Sequence, residues 1–298
     1  MFLVAMSFDR AFAQEPMGLK VVTTNSELVA ALEEGQQRIA LSGEFSQITL
    51  NRVYPSLLIM AHAATIKGVR FMNAQNVEWL GGTIEASGGS EASGPAGYAM
   101  LLQSSKNIRV KEVVFKNFNR GIVGAALTED IQIINNHFSG RQDGIIYSGG
   151  INVDISHNIF ENFSPKPTTC ILPSSEGVAG LSKRDCDARG GVWTDGDHSD
   201  AIQFRNGCDR FNISHNQIIG VQQGIGQMDS TNDLPVSNIK VISNSIQVQG
   251  FHSITFNTKP NRNILVVNNT VVESTSRKTP LRTPGDVVAF GNVVIKTQ

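Results

Sequence analysis

The sequence predicts an all-β fold, a parallel β-helix in which each turn of the chain stacks its short strands on those of the previous turn. Two observations lead to this prediction. A pattern of alternating apolar and polar residues that ends in an asparagine recurs along the 298-residue chain, and helical periodicity is missing from it. The aligned asparagines are spaced 22, 58, 28 and 25 residues apart, so one interval holds an insertion: Asn136, Asn158, Asn216, Asn244 and Asn269.

The repeats also predict what the asparagines do. The copies read IQIINNHFSGRQDGI (131–145), INVDISHNIFENF (151–163), CDRFNISHNQIIGVQQGIG (208–226), IKVISNSIQVQGFHSI (239–254) and ILVVNNTVV (264–272). Stacked strands lie about 4.8 Å apart, so an asparagine at the same inward bend of every turn can hydrogen-bond to the next one. We therefore expect a buried asparagine ladder that begins at Asn136.

With these repeats, the chain resembles the right-handed, pectate-lyase-like β-helix superfamily from about Leu19 to Ile295. The resemblance implies a single-stranded right-handed solenoid, and we expect about nine turns in one domain, residues 18–298. The run from Thr24 to Glu27 is a capping box before the amphipathic segment LVAALEEG, which Gly35 ends. It resembles the short helix that caps the first turn of many β-helix enzymes.

Composition and the N-terminus bound the function classes. The net charge of −1 argues against nucleic acid as a partner, which would require a basic surface. Later segments do not reach the roughly 20 apolar residues of a membrane span. Residues 1–14 carry Ala-Phe-Ala directly before Gln14 and predict a secretion signal, either whole or with its start upstream, so we expect a secreted or periplasmic protein. The oligomeric state stays open.

A long insertion, residues 164–197, interrupts the repeats and is rich in Pro, Ser, Gly and charged residues. Long loops in a solenoid usually carry function or cover a groove. Cys170 and Cys186 lie in this insertion and predict a disulfide of the kind found in exported proteins. Cys208 begins a repeat and is expected to be a buried free thiol.

The Gly-Ile pairs of the repeats predict one face of the coil. Their apolar members should point inward: Ile122, Ile145, Ile202, Ile225 and Ile254. Strict alternation would then turn the preceding small residues outward as a flat trough: Gly121, Gly144, Ala201, Gly224 and Ser253. Polar residues that would border the trough are candidate substrate-binding groups: Arg120, Gln203, Gln223, His252 and Asn257. A smooth surface bordered by polar groups suits a polysaccharide.

Asp143, His198, Asp200 and Arg205 are the candidate catalytic residues. Asp143 and Asp200 hold equivalent positions on adjacent turns, where two close carboxyl groups separate in pKa and can act as acid and base on a glycosidic bond. Alternatively, His198 takes the C5 proton of a uronic acid while an arginine neutralises the carboxylate of the sugar. The superfamily contains both chemistries, and the chain lacks the Gly-His-Gly motif of polygalacturonase-like hydrolases.

We therefore favour a lyase or C5-epimerase acting on a uronate-containing polysaccharide. The alternatives are a glycoside hydrolase that uses the Asp143 and Asp200 pair, and a non-catalytic β-helix for surface binding or adhesion. No cofactor is required, although Asp195 and Asp197 could be turn residues or Ca²⁺ ligands. His137, His157 and His215, beside the ladder, are expected to be structural, and Tyr147 is expected to pack in the core with Phe204 and Phe256.

Overall fold

The fold was analysed in a computed structural model of the chain. The structure describes residues 18–85, 97–125, 127–164, 169–173, 177–179, 183–194, 199–227, 234–249, 252–256, 261–273, 280–284 and 286–296. The predicted secretion signal, residues 1–14, lies outside these ranges, as do His198, Asp195, Asp197 and Asn257.

The described chain consists of short strands and two helices, α1 (Asn25–Glu33) and α2 (Lys183–Ala188). The first strands are β1 (Lys20–Val22), β2 (Arg38–Leu50), β3 (Val53–Met72), β4 (Gln75–Leu80), β5 (Thr83–Glu85), β6 (Tyr98–Gln103), β7 (Lys106–Lys111), β8 (Val114–Gly124), β9 (Thr128–Ile134), β10 (His137–Ser148), β11 (Gly150–Ser156) and β12 (Ile159–Phe160). Those of the insertion are β13 (Thr169–Ile171), β14 (Gly177–Ala179) and β15 (Val192–Thr194). The last are β16 (Asp200–Arg205), β17 (Asp209–Ser214), β18 (Gln217–Val221), β19 (Gln223–Gln227), β20 (Ser237–Ile242), β21 (Ser245–Val248), β22 (Ile254–Thr255), β23 (Ile264–Val267), β24 (Thr270–Glu273), β25 (Leu281–Arg282), β26 (Val287–Phe290) and β27 (Val293–Lys296).

Parallel pairing between successive turns arranges the strands in three faces. The first face stacks β1, β2, β3, β4, β7, β9, β11, β17, β20, β23 and β26. The second face stacks β3, β5, β8, β10, β12, β18, β21, β24 and β27. The third face stacks β3, β6, β8, β10, β16, β19, β22 and β25. This confirms the all-β parallel β-helix; the count of nine turns stays a prediction.

The core forms because the repeats place apolar side chains at matching positions of every turn. On the third face, Ile145 pairs in register with Ile122 and with Ile202, and Ile225 continues the row to Ile254. All five side chains are buried, which confirms the predicted inward row. Burying large aliphatic side chains stabilises the fold by about 1.5–3 kcal/mol each. This row of isoleucines therefore stabilises the third face from β8 to β22.

The buried asparagine ladder is confirmed at the bend between the first and second faces. Asn158 Oδ1 accepts hydrogen bonds from Asn136 N and Nδ2 at 2.9 and 3.0 Å. Asn158 Nδ2 donates in turn to Ile133 O and to Asn216 Oδ1, at 2.9 and 3.0 Å. The ladder runs on one turn further than predicted, because Asn292 Oδ1 accepts from Asn269 N and Nδ2.

The residue before each ladder asparagine has a left-handed backbone, which makes the sharp bend. The φ angles lie between 54° and 58° at Asn135, His157, His215, Ser243 and Asn268. The rings of His157 and His215 stack with centroids 4.9 Å apart, and His137 Nε2 lies 2.9 Å from Glu161 Oε1. The left-handed bend and the ring stacking support a structural role for His157 and His215. The contact with Glu161 supports a structural role for His137.

Helix α1 begins where the capping box predicts. Glu27 N donates to Thr24 Oγ1 at 3.2 Å, and the Glu27 carboxylate accepts from Thr23 N at 2.6 Å. That backbone hydrogen bond is the main reason why the pKa of Glu27 is lowered. Leu28 and Ala31 are buried in the same cluster as the strands, while the capping role of the helix stays a prediction. Neither helix in the described part of the chain is long and apolar enough to cross a membrane.

The insertion forms its own small antiparallel sheet between β12 and β16. Strand β13 pairs with β14 and with β15, and none of the three joins the large sheet. The predicted disulfide between Cys170 and Cys186 is confirmed, with its Cα atoms 5.6 Å apart. Cys208 is buried and keeps its thiol outside the disulfide, as predicted, and its Sγ donates to Arg205 O at 3.0 Å.

Candidate functional site

A column of polar side chains crosses the turns where the chain enters the third face. Asp143 pairs in register with Arg120 on the previous turn and with Asp200 on the next turn. Tyr98 extends the column before Arg120, and Gln223 extends it after Asp200. We call these five residues the carboxylate column. The predicted register of Asp143 and Asp200 is thereby confirmed, and the insertion re-enters the coil beside them.

The outward trough that alternation predicts next to this column is wrong. Ala201 and Ser253 are buried, as are the glycines of the same row. A Cβ atom added to Gly144 would meet the Ala201 carbonyl oxygen and the ring of Phe160. At Gly121 it would meet the Gly144 carbonyl oxygen and Phe138. These residues are small because they face the interior, where a side chain would collide with the next turn.

The physical reason for this difference is the bend between the second and third faces. The register skips Gly144, so both Gly144 and Ile145 lie inside and period-two alternation fails for one step. The space inside the bend is filled by the stacked rings of Phe115, Phe138 and Phe160, with centroids 4.6 and 4.7 Å apart. Small residues in this row are therefore a requirement of core packing.

The two carboxyl groups of the column are buried, while Arg120 and Gln223 beside them are partly exposed. Asp143 is 4% exposed and Asp200 is 1% exposed. The Arg120 side chain is 37% exposed, and its Nε lies 4.0 Å from Asp143 Oδ2. A neighbouring guanidinium offsets part of the cost of burying the Asp143 carboxylate. Partly exposed members of the column therefore lie directly beside both buried carboxyl groups.

Asp200 differs from Asp143 in its surroundings. Burial raises the pKa of Asp200 from 3.8 to about 7, because its charged form is poorly solvated. The preceding residue, Ser199, fixes this position, since its carbonyl oxygen accepts hydrogen bonds from Gln222 N and Gln223 N at 3.1 and 2.9 Å. Asp200 thus retains its proton for a substantial part of the time near neutral pH.

Two glutamine amides lie close to the carboxyl pair on the outer side of the third face. Gln203 pairs in register with Ile146 and with Gly226, and it is 2% exposed. Among the described residues, Gln203 Oε1 has no hydrogen-bond partner. The Gln223 amide lies over Gly226, where an added Cβ would be 3.2 Å from Gln223 Nε2. A hydroxyl group of a ligand could therefore bond to both amides.

The structure does not bring every predicted site residue next to the carboxyl pair. Arg205 lies at the far end of β16, five residues from Asp200, which corresponds to about 16 Å along a strand. It pairs with Ser148 there and cannot join the cluster. His252 lies one turn beyond Gln223, and its carbonyl oxygen accepts from Gly224 N at 3.1 Å. The roles of His198 and Asn257 stay predictions, because both lie outside the described residues.

Tyr98 is a member of the column that the sequence analysis missed. The signal was present, because Tyr98 precedes Met100 by two residues and Met100 pairs in register with Ile122. Methionine in place of isoleucine hid this copy of the repeat. By contrast, Tyr147 packs in the core as predicted, in register with Phe204, and burial raises its pKa.

The described residues contain no group of three or more His, Cys, Asp or Glu side chains arranged to hold a metal ion. The predicted Ca²⁺ ligands Asp195 and Asp197 lie outside those residues, so that site stays a prediction.

The strand pairings and the carboxylate column define the class: a parallel β-helix protein with a buried carboxyl pair on one face. No protein family model and no curated protein sequence matches the chain. Among solved structures, the chain is similar to the Dettilon tailspike protein, with 12% identity over 91% of this chain and 64% of the tailspike, at a TM-score of 0.41. It thus spans less than two thirds of that protein.

Two enzymes are also among the similar structures. The catalytic domain of a GH87 α-1,3-glucanase in complex with tetrasaccharides has 13% identity over 96% of this chain and 67% of its own, at a TM-score of 0.45. An alginate lyase from Paenibacillus sp. str. FPU-7 has 12% identity over 93% and 95% of the two chains, at a TM-score of 0.30. Likeness at this level carries no argument about function, and the fold rests on the strand pairings of this chain.

Proposed function

We propose that this protein is an exported enzyme that hydrolyses glycosidic bonds of a polysaccharide, with Asp143 and Asp200 as its catalytic carboxyl pair. One observation carries the proposal. The two carboxyl groups are register partners on adjacent turns, and their surroundings differ, with a guanidinium beside Asp143 and raised pKa at Asp200. Glycosidases need such a pair, one carboxyl protonated and the other ionised.

The roles of the two residues follow from these surroundings. Asp200 in its protonated form donates the proton to the glycosidic oxygen as the C–O bond breaks. Asp143 in its ionised form either attacks the anomeric carbon or takes a proton from the attacking water. The products are a new reducing end, whose hydroxyl group comes from water, and a free hydroxyl group, which keeps the glycosidic oxygen and takes the proton of Asp200. The second proton of the water replaces the one that Asp200 gave up. Gln203, Gln223 and Tyr98 are placed to bind sugar hydroxyl groups beside the pair.

β-Elimination or C5 epimerisation of a uronate-containing polysaccharide is the second candidate, and Arg120 favours it. Its guanidinium lies in the column, where it could neutralise the carboxylate of a uronic acid. His198, two residues before Asp200, would remove the C5 proton. In elimination, the C4–O bond then breaks and a C4–C5 double bond forms. Arg205, the alternative arginine for this role, lies about 16 Å along the strand from Asp200.

Export is supported by the disulfide, because such bonds persist in oxidising compartments. The secretion signal in residues 1–14 and the secreted or periplasmic location belong to the same proposal. A non-catalytic role in surface binding or adhesion would not require a buried aspartate with a raised pKa such as Asp200.

A panel of neutral and uronate-containing polysaccharides tests the proposal. Hydrolysis releases reducing ends without ultraviolet absorbance, while elimination produces unsaturated, absorbing products. We expect reducing ends alone, with activity that falls as the pH rises through about 7, because the acid must hold its proton. Absorbing products would favour elimination, and binding without any new product would favour the adhesion hypothesis.

A further inference from the structure

We propose that the outer surface of the first face, from β4 to β17, is a second glycan-binding site that takes a neutral, hydroxyl-rich chain. It lies on a different face from the carboxylate column and stands independently of the reaction proposed there. The inference rests on the shape of this surface, on the way its side chains are fixed and on their charges.

The surface is a groove made of two adjoining cavities. One of about 330 Å³ extends from Pro55 to Gln132, and another of about 280 Å³ extends from Asn107 to Asn212. Both are lined by Asn107, Asp130 and Gln132, so they form one continuous depression. From β4 to β17 it crosses five stacked strands, a length of about 19 Å at the normal strand spacing. That length suits several sugar units of an extended chain.

Two rows of polar side chains line this groove. The first row consists of register partners that point outward from the strands: Glu78, Arg109, Gln132, Asp154 and Asn212. The second row lies two residues earlier in each turn, where the backbone is left-handed: Asn76, Asn107, Asp130, Asn152 and Arg210. Both rows run along the coil axis, so a bound chain would meet the same pair of positions on every turn.

Hydrogen bonds between turns hold these side chains in place. Asn107 Nδ2 donates to Asn76 Oδ1 at 2.9 Å, and Arg109 Nε donates to Gln132 Oε1 at 2.7 Å. Farther along, Asn152 Nδ2 donates to Asp130 Oδ1 at 2.6 Å. Asn212 Nδ2 likewise donates to Asp154 Oδ1, at 2.8 Å. Side chains that are already ordered lose little conformational entropy on binding, which favours affinity.

The charges of the groove select the class of ligand. Three carboxylates and two guanidiniums lie among the amides of the groove, so neither positive nor negative charge dominates: Glu78, Asp130, Asp154, Arg109 and Arg210. A polyanion would meet the carboxylates, whereas hydroxyl groups can both donate to them and accept from the amides and guanidiniums. Gln132 Nε2 donates no hydrogen bond to the described residues, so its amide protons are open to such a ligand.

The test is affinity electrophoresis in gels that contain mixed-linkage β-glucan, galactomannan or dextran as neutral probes, and alginate or polygalacturonate as acidic probes. The parent protein carries Asp143→Asn so that the probes are not cleaved. We expect at least one neutral probe to retard it, and the further double substitution Asn107→Ala with Gln132→Ala to weaken binding at least tenfold. Asn238→Ala with Lys240→Ala is the matched control, since it alters the same two rows outside the groove.

Gln132→Glu is the second variant, because it keeps an oxygen that accepts from Arg109 while it replaces the amide donors by a charged acceptor oxygen. It should also weaken binding, and thermal unfolding checks that each variant is folded. The proposal is overturned if no neutral probe retards the protein. Retardation by acidic probes only, or equal retardation of the groove variants and the control, would overturn it as well. Loss of activity in the carboxylate column leaves this result unaffected.

Discussion

The asparagine ladder and the carboxylate column are both polar columns at bends of the coil, but the ladder repeats a buried residue while only the two carboxyl residues of the column are buried. The ladder repeats one residue, and Asn216 shows the rule: its Oδ1 accepts from Asn158, while its Nδ2 donates to Ile155 O and Asn244 Oδ1. The carboxylate column instead runs through tyrosine, arginine, aspartate, aspartate and glutamine, so only its two carboxyl residues repeat. The asparagines of the ladder hydrogen-bond to one another, while the carboxylate column places its carboxyl pair between a guanidinium and an amide.

The difference separates structural from functional polarity in a solenoid. A repeated amide pairs with its copies on both sides, so its burial is stabilising at every turn. A carboxyl group cannot do this, because the neighbouring carboxylate repels it and burial opposes its charge. An irregular polar column is therefore costly, and the raised pKa of Asp200 is the sign of that cost. Substitutions in the two columns should have opposite effects on activity and stability.

The largest expected effect is on activity. Asp143→Asn and Asp200→Asn should each lower turnover by about 10² to 10⁴-fold, because each removes one half of the acid and base pair. At pH 5, where Asp200 keeps its proton, the melting temperature of each variant should stay close to that of the parent protein, since asparagine keeps the shape of the side chain. Release of reducing ends and thermal unfolding measure the two quantities, and Glu161→Gln on the second face serves as the carboxyl control. Unchanged turnover in both variants would place the site elsewhere.

The next effect is the pH dependence of stability that Asp200 causes. Asp200 binds its proton more tightly in the folded than in the unfolded chain, so its contribution is complete below about pH 4. This contribution to the free energy of unfolding decreases as the pH rises to about 7 and stays constant at higher pH. A pKa raised from 3.8 to about 7 corresponds to a loss of about 4 kcal/mol in the free energy of unfolding, and Asp143 and Arg120 are the charged groups that share the column with Asp200.

Urea unfolding at pH 4.5 and pH 8 measures this loss in the parent protein and in Asp200→Asn. The variant cannot ionise at this position, so its free energy of unfolding should change less between the two pH values. If both proteins lose the same stability, the burial of Asp200 does not shift its pKa.

A smaller effect should follow from a gap in the ladder. Asn216→Ala removes the oxygen that accepts from Asn158 N and Nδ2 and the amide that donates to Ile155 O, at a cost of about 1–3 kcal/mol for each unsatisfied group. Chemical unfolding measures the loss, with Gln217→Ala as the control because Gln217 is the exposed next residue. Activity per folded molecule should not change. A stability equal to that of the control variant would contradict the structural role of the ladder.

The smallest effect on the coil should come from the disulfide. Replacing Cys170 and Cys186 by alanine opens a loop with a sequence separation of 16 residues, worth about 3 kcal/mol in the chain-entropy model. This loss should be confined to the insertion, since its three-stranded sheet pairs with none of the coil strands. Hydrogen exchange should show lost protection in β13 to β15 and unchanged protection in β10 and β16. Faster exchange throughout the coil would show that the insertion supports it.

The repeats predicted most of the fold because they report on contacts between equivalent positions of successive turns. An apolar residue such as Ile145 and an asparagine such as Asn158 keep their place in every copy of the pattern. The same logic placed Asp143 beside Asp200, and the paired cysteines of the insertion followed from composition. The alignment of repeats missed Tyr98 and Asn292, because their copies of the pattern lack one of the residues by which the other copies were aligned.

The period of the repeat was enough to assign residues to columns, since it sets the register in a parallel solenoid. The direction in which a column faces, and the columns that it meets, depended on three-dimensional packing. Alternation could not foresee that Gly144 turns inward, because the bend brings it against Phe160 and the next turn. Nor could it show that Asn107 and Gln132 line one groove. Those facts depend on how the chain bends between faces, and bending is decided by the packing of many residues together.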